Sequence, residues 1–189
     1  MPVSQAGLCL SCSHSRSSIQ SMRSWLVYEG PIRKAIHSLK FGRNVALGDA
    51  LAVHLAKFME TLSWPVDLVA PVPAGKQRLA ERGYNQVALI AGPLADFMKK
   101  DYSSKILQRA RETRTQVGLT PEQRKQNVSG AFQANAARVS GRVVLVVDDV
   151  ATTGATLVAC SEALRTAGAK NVYALTLARA LPHHGFQIV

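Results

Sequence analysis

Along this chain, segments with apolar residues at helical spacing are separated by short apolar runs. The run at residues 143–147 is the clearest of these patterns. Five aliphatic residues without a polar break are typical of a strand that is buried on both faces of a parallel sheet. The run stops at Asp148 and Asp149, and a short Thr/Gly loop then leads into a helical pattern. We therefore expect a buried strand, an acidic pair, a loop and a helix, in that order.

The same patterns predict the other elements. Apolar residues at helical spacing predict helices over residues 31–41, 46–62 and 86–100, the last kinked at Pro93. Short apolar runs predict strands over residues 25–28, 66–72, 105–108, 130–134 and 171–177. This order favours an α/β fold with a central, mostly parallel sheet flanked by helices.

The loop after the acidic pair has the composition of a phosphate site. It opens a helix, where unpaired N–H groups and the positive end of the helix dipole favour an anion. Gly154 would allow a close backbone approach, and neighbouring threonines could add hydroxyl donors. Asp148 and Asp149 would repel phosphate, so we expect them to face a sugar diol or a divalent cation. A phosphate beside a diol describes a ribose 5-phosphate.

A second polar loop, residues 74–86, follows the strand predicted at residues 66–72. Open α/β sheets bind ligands at this edge, where the strands end. The loop carries Lys76, Arg78 and Arg82, and the planar guanidinium of arginine can donate two hydrogen bonds to a diphosphate. The alternative is an ordinary basic surface loop.

Residues 109–127 form a third polar and basic stretch. Thr120, Pro121 and Gln123 have the spacing of a capped helix start. The composition suits either a mobile lid that orders over an anionic ligand or a surface crossover between two strands. Lys40, further upstream, is either a solvated charge or a phosphate contact.

Composition and charge narrow the class of protein. The chain has 189 residues and a formal net charge of +11, which suits an anionic partner such as a pyrophosphate ester or a nucleic acid. A solvated basic surface is the simpler explanation of the charge alone. No apolar run is long enough to span a bilayer and no signal peptide is evident, so we expect a cytoplasmic protein.

The N-terminal segment contains Cys9, Cys12 and, nearby, His14. The cysteine spacing is that of one zinc knuckle, but a structural zinc needs four ligands and a second pair is missing. We therefore favour an unpaired remnant and predict no metal site from protein ligands alone. The expected organisation is a poorly ordered tail at residues 1–23, one domain at residues 24–180 and a second tail at residues 181–189.

The motifs together resemble a known family. Residues 146–156 resemble the phosphoribosyl pyrophosphate (PRPP) signature of type I phosphoribosyltransferases. Over residues 24–180 the chain is similar to the competence protein F (ComF) family of phosphoribosyltransferase-like proteins. The similarity rests on residues 28–33, 38–41, 71–73, 78–86, 109–127 and 130–132. The family usually begins with a zinc ribbon of two cysteine pairs, and it commonly has a bulkier residue at Ala151.

The resemblance implies a type I phosphoribosyltransferase fold with a small N-terminal appendage, Mg²⁺ as cofactor, and specific residue roles. Asp148 and Asp149 would bind the ribose 2′ and 3′ hydroxyls. The expected PRPP-binding residues are these two with Val150, Ala151, Thr152, Thr153, Gly154, Ala155 and Thr156. The expected pyrophosphate loop comprises Pro73, Lys76, Arg78, Arg82 and Gly83. The expected catalytic residues are the acidic pair with Arg82, Arg111 and Arg114, the last two on or near a lid.

Three functions are compatible with this sequence. The first is a Mg²⁺-dependent transfer of phosphoribose from PRPP to a nitrogen acceptor, with release of pyrophosphate. The second is a non-catalytic protein of DNA uptake that binds single-stranded DNA, although the sequence shows no aromatic ladder for stacking bases. The third is a PRPP-sensing regulator. Nucleic acid and a second copy of the chain are the candidate macromolecular partners.

Overall fold

The computed structural model describes residues 18–42, 44–113 and 118–181. The strands are β1 (Ser21–Val27), β2 (Leu68–Pro71), β3 (Asp101–Tyr102), β4 (Leu107–Arg109), β5 (Phe132–Ala134), β6 (Val143–Ala151) and β7 (Asn171–Arg179). The helices are α1 (Gly30–Phe41), α2 (Val45–Leu62), α3 (Lys76–Arg82), α4 (Ala88–Phe97), α5 (Pro121–Val128), α6 (Ala136–Val139) and α7 (Ala155–Thr166). The expectations for Cys9, Cys12, His14 and Arg114 lie outside the described residues.

Five strands form one parallel sheet in the order β1-β7-β6-β2-β3, while β4 and β5 form a separate antiparallel pair. The predicted parallel α/β sheet is therefore confirmed. The apolar run at residues 143–147 lies in the central strand β6, where all five residues are buried. Central strands of a parallel sheet are covered on both faces, which is why their sequence is continuously apolar.

The two faces of the sheet are covered by different elements. Val143, Leu145 and Val147 pack in one core with α1, α2 and α4, on what we call the α1 face. Val144 and Val146 pack in a second core with α7 and the β4–β5 pair, on the α7 face. Because side chains alternate along a strand, successive residues of β6 contribute to opposite layers.

One close contact holds α2 against α4. Pro93 lies inside α4 and has no N–H, so the Leu89 carbonyl lacks its helical donor. Gly48 of α2 lies against this carbonyl, since a Cβ at Gly48 would be only 2.6 Å from the Leu89 oxygen. The approach of the two helices therefore depends on a glycine.

Three differences from the prediction change the sheet or the region of the site. Strand β1 begins at Ser21, so residues 21–23 belong to the sheet and not to the tail in which we placed them. Strand β6 continues through the acidic pair to Ala151 because it stays paired with β7. The stretch predicted as a loop over residues 74–86 contains helix α3. That helix has no buried residue, and so it lacks the apolar stripe that would have indicated it.

The connections around β2 and β6 create a crevice. After β2 the chain leads to α4 on the α1 face, whereas after β6 it leads to α7 on the opposite face. Neighbouring parallel strands whose connections leave in opposite directions open a crevice at their carboxyl ends, where α/β proteins bind ligands. Here β2 ends at Pro71, paired with Val147, while β6 continues to Ala151. In the described part of the chain, no helix combines the length and the apolar character needed to cross a bilayer.

Candidate phosphoribosyl site

A cavity of about 360 Å³ occupies this crevice. Strand β6 contributes its floor, helix α3 and the preceding turn form one wall, and the segment after β4 forms another. The lining residues are Lys40, Val72, Pro73, Ala74, Gly75, Gln77, Arg78, Glu81, Asn85, Gln86, Val87, Arg109, Glu112, Thr113, Asp148, Asp149, Val150 and Thr156.

Asp149 is fixed in the floor by donors from the α1 face. Only 6% of the surface of Asp149 is exposed to solvent. The carboxylate oxygen Oδ2 lies 3.0 Å from the Lys40 Nζ and accepts a 2.8 Å hydrogen bond from the Gln86 Nε2. Lys40, which we expected to be either a solvated charge or a phosphate contact, lines the cavity and pairs with a floor carboxylate. A contact with phosphate stays a prediction.

Asp148 has a different environment, although it precedes Asp149 directly. Its Oδ1 accepts a 2.9 Å hydrogen bond from the backbone N–H of Asp149. Burial, followed by the charge of Asp149, raises the pKa of Asp148 to about 7. The positive charges of Lys40 and Arg109 act in the opposite direction but do not cancel these effects. A site that disfavours a second negative charge in this way is prepared for a cation or a hydrogen-bond donor.

The Thr/Gly loop lies next to the floor and lines a recess of about 30 Å³. Gly154 starts α7 with φ of +79°, a conformation that favours glycine. The Thr152 hydroxyl accepts a 2.8 Å hydrogen bond from the Arg124 guanidinium, on α5. The recess shares Asp148, Val150 and Thr156 with the larger cavity, so the two sites adjoin.

Two arginines line the cavity from different walls, Arg78 from α3 and Arg109 from the end of β4. Neither forms an ion pair with a residue of the described ranges. Arg109 lies over the Phe132 ring at 5.0 Å, and its Nε is buried without a hydrogen-bond partner among the described residues. Burial lowers the pKa of Arg109, and the charge of Arg78 also contributes to the decrease. Two cations without an ion-pair partner among the described residues make this part of the cavity suitable for an anionic group.

Not every predicted site residue reaches the cavity. Pro73 and Arg78 do, but Lys76 and Gly83 are absent from its lining. Arg82 lies over the Phe41 ring at 4.9 Å and donates a 2.9 Å hydrogen bond to Gln86, so it contacts the floor only indirectly.

Of the two predicted lid arginines, Arg111 lies in the described residues, and its catalytic role stays a prediction. Arg111 is exposed and donates a 2.7 Å hydrogen bond to the Ser129 carbonyl, away from the cavity lining. Arg114 lies outside the described residues.

The capped start of α5 is present, because Thr120 and Gln123 form the reciprocal hydrogen bonds of a capping box. Within the phosphate loop, the Thr153 hydroxyl accepts a hydrogen bond from the Ala155 N–H.

Four residues of the site were not assigned to it from the sequence. Lys40, Gln86, Arg109 and Arg124 come from four distant parts of the chain and meet only in the folded protein. Arg109 and Arg124 both lie in the basic stretch at residues 109–127, and Gln86 ends the polar loop at residues 74–86. For Lys40, a phosphate contact was one of two expectations. No local spacing indicates that these side chains converge.

The acidic pair is not part of a larger cluster of metal ligands. In the residues that the structure describes, no three His, Cys, Asp or Glu side chains come together as a metal site would require. Any divalent cation at the floor would therefore need oxygen ligands from a bound molecule or water to complete its coordination.

Comparison with known proteins places this geometry in a family. The phosphoribosyl transferase domain family matches residues 45–184. The chain belongs to this family. The match confirms the fold class expected from the sequence, and it includes the phosphate loop and the acidic pair.

Curated relatives place the chain more narrowly within the phosphoribosyltransferase family. It is 33% identical over 179 residues to the DNA utilization protein YhgH of Salmonella typhimurium, covering 92% of this chain and 78% of that protein. It is also 33% identical over 180 residues to competence protein F of Haemophilus influenzae, covering 91% and 78%. The resemblance to competence protein F is thereby confirmed.

Solved structures of longer proteins are also similar in part. The Bacillus subtilis glutamine PRPP amidotransferase, complexed with ADP and GMP, is 24% identical with a TM-score of 0.48. The similar region includes 78% of this chain and 28% of the amidotransferase. Leishmania donovani UMP synthase is 20% identical with a TM-score of 0.47, and 75% of this chain covers 24% of it.

Proposed function

We propose that this protein binds PRPP together with Mg²⁺ in the cavity and transfers its phosphoribosyl group to a nitrogen nucleophile. One observation carries the proposal: the phosphate-loop recess, the acidic floor and the two arginines Arg78 and Arg109 adjoin in one crevice. A 5-phosphate, a ribose diol and a pyrophosphate require these three chemistries in a single ligand.

The floor suits a magnesium ion, which the fold family implies. Mg²⁺ is usually held by one or two carboxylates, with substrate phosphates and water completing six ligands. Asp148 and Asp149 supply two carboxylates facing the cavity, and burial together with the charge of Asp149 raises the pKa of Asp148. When bound, the ion would supply charge neutralisation for the pyrophosphate.

The chain's own residues divide the remaining work. The carboxylates of Asp148 and Asp149 would accept hydrogen bonds from the ribose hydroxyls and orient the ring. As the C1–O bond breaks, the pyrophosphate leaves with the electron pair, and Arg78 and Arg109 would donate hydrogen bonds to its increasing negative charge. The nitrogen lone pair forms the new bond to C1, and the nitrogen then loses a proton to solvent or base.

Calorimetry tests the binding step directly. PRPP is titrated into the protein with and without MgCl₂ at two salt concentrations, and ribose 5-phosphate and pyrophosphate are titrated as partial ligands. Mg²⁺-dependent binding of PRPP, tighter than of either part, is the expected result. Absence of PRPP binding under all conditions would overturn the proposal.

Turnover needs a separate measurement, because a PRPP sensor would give the same titration. We expect pyrophosphate release when PRPP, MgCl₂ and a panel of nitrogen bases and amines are supplied. Binding without release for every acceptor would favour the sensor.

A second candidate is binding of single-stranded nucleic acid, which the names of the DNA utilization relatives suggest. The observation that favours it is a stripe on α1: Arg33, His37 and Phe41 are exposed at intervals of four residues, which places them on one helix face. Phe41 is 63% exposed, and the Arg82 guanidinium lies over its ring. An exposed ring among cations suits a stacked base and a nearby phosphate.

Anisotropy of a labelled oligothymidylate distinguishes this candidate. Binding that weakens steeply with salt and is reduced by Phe41→Ala would support it. Equal binding by wild type and Phe41→Ala would exclude the α1 stripe as the interface.

A further inference from the structure

The ammonium group of Lys40 lies where it would repel any cation bound at the acidic floor. Its Nζ lies 3.0 Å from the Oδ2 of Asp149, and its side chain is 24% exposed, so it lies at the cavity surface and not in the core. The same oxygen also accepts the Gln86 hydrogen bond. Asp149 therefore has a positively charged partner before any ligand arrives.

Lys40 is delivered to this position by a well-anchored helix. Ile32, Ile36 and Leu39 of α1 are buried in the core on the α1 face. The Tyr84 hydroxyl donates a 2.6 Å hydrogen bond to the Leu39 carbonyl, the residue directly before Lys40. The backbone is thus fixed, and the flexible lysine stem leaves the ammonium free to change partners within the cavity.

The ammonium can pair first with Asp149 and then, once a ligand is bound, with its pyrophosphate. A divalent cation binding the carboxylate of Asp149 would meet a positive charge 3.0 Å from the same oxygen, so the two cations compete. A pyrophosphate in the cavity would bring several negative oxygens to the surface that Lys40 lines. The ammonium can therefore leave the carboxylate when an anion arrives together with the metal.

We propose that Lys40 is an exchangeable counter-ion: it neutralises Asp149 in the free protein, opposes binding of Mg²⁺ alone, and pairs with the pyrophosphate of PRPP when both are bound. This inference rests on the proposed function for its second half only. It makes Lys40 a PRPP-binding residue that also makes Mg²⁺ binding depend on the ligand.

Lys40→Met, which keeps the stem and removes the charge, should change the two affinities in opposite directions. In thermal-shift titrations with MgCl₂ alone, the variant should bind Mg²⁺ about tenfold more tightly than wild type, because the competing charge is gone. In calorimetry with PRPP at saturating MgCl₂, it should bind PRPP about tenfold more weakly, because a charge-assisted contact is lost. A purely structural role would not produce opposite signs.

Three further variants control the measurement. Lys34→Met removes an exposed lysine from the same helix and should leave both affinities unchanged. Lys40→Arg keeps the charge and should restore most of the PRPP affinity. Lys40→Gln repeats the test with a polar side chain if the methionine variant folds poorly.

The outcomes separate this inference from the proposed function. If wild type binds PRPP but Lys40→Met and Lys40→Gln match it in both titrations, the counter-ion role is wrong and the proposed function stands. If wild type does not bind PRPP, the proposed function fails, while tighter Mg²⁺ binding by Lys40→Met would still support the competition at Asp149. Weaker Mg²⁺ binding by both variants would overturn the competition.

Discussion

Asp148 and Asp149 are adjacent in β6, yet they belong to different halves of the molecule. Asp149 is held by Lys40 and Gln86, which come from the α1 face. Asp148 receives one backbone hydrogen bond, and the charges of Lys40 and Arg109 lower its pKa without cancelling the effect of burial. One carboxylate already has its counter-ion, and the other is held in surroundings that disfavour its charge.

The difference shows how one strand can serve two purposes. Because side chains alternate along β6, a pair of identical residues is presented to two sets of neighbours. In the free protein Asp149 is paired with Lys40, which a ligand would have to displace, whereas Asp148 forms no ion pair with a described residue. Substitutions at the two positions, and among their respective neighbours, should therefore have different consequences.

The largest effect is expected when both carboxylates of the pair are removed. Asp148→Asn combined with Asp149→Asn should weaken PRPP binding by a factor of about a hundred or more, because two charged acceptors are lost. Calorimetry with saturating MgCl₂ measures the affinity, and circular dichroism verifies the fold. Asp96→Asn, an exposed carboxylate on α4, is the matched control. Unchanged affinity in the double variant would refute the site assignment.

The next largest effect should come from substituting Arg109, whose charge acts on Asp148. Arg109→Met removes a half-buried guanidinium from the cavity wall and should weaken PRPP binding by about thirtyfold. Arg109→Lys should recover only part of this, because an ammonium lacks the planar pair of donors. Arg138→Met, on the exposed surface of α6, serves as the control. Equal affinities for Arg109→Met and Arg138→Met would contradict the assignment.

A pH series of the free protein tests the charge at Asp148. Its pKa of about 7 exceeds the ordinary value of 3.8, so the folded protein holds more protons than the unfolded chain between these pH values. The contribution of Asp148 to stability therefore falls as the pH rises through this window.

Asp148→Asn should remove that loss and stabilise the protein at pH 8 by about 2 kcal/mol, after allowing for solvent in the cavity. The melting temperature would rise by about 4–8 °C at pH 8 and stay nearly unchanged at pH 4. Thermal denaturation of both proteins at the two pH values measures this. An equal shift at pH 4 and pH 8 would show that the charge is not the cause.

The smallest effect is expected on the side of Asp149. Gln86→Leu removes the hydrogen bonds to Asp149 and from Arg82, and it should lower the free energy of unfolding by about 1–2 kcal/mol. Gln77→Leu is the control, because its bond to Glu81 is exposed and spans one helical turn. Urea denaturation compares the two. A loss no larger than that of the control would mean that Gln86 does not stabilise the floor.

Local pattern predicted the parts of the site that are continuous in the chain. The apolar run, the acidic pair and the Thr/Gly loop are consecutive, so their order alone indicated a strand followed by a phosphate loop. The two-layer cover of the sheet likewise follows from the absence of polar positions in residues 143–147.

The remainder of the site depends on contacts between distant segments. Lys40 is one of three Lys and Arg residues in α1, and only the packing of α1 against the sheet brings it to Asp149. Helix α3 was missed because it has no buried residue and shows no apolar period. Strand β3 has two residues, too few for any alternation to be visible.

The unequal lengths of β2 and β6 also predict where chain length can vary. Beyond Val147, where β2 ends at Pro71, strand β6 keeps β7 as its partner and continues through the acidic pair. Deleting or inserting one residue there would exchange the faces of the two carboxylates and separate the floor from its donors. Related chains should therefore keep a constant spacing from the apolar run to Gly154. Differences in length should instead collect in connections that carry no such alternation.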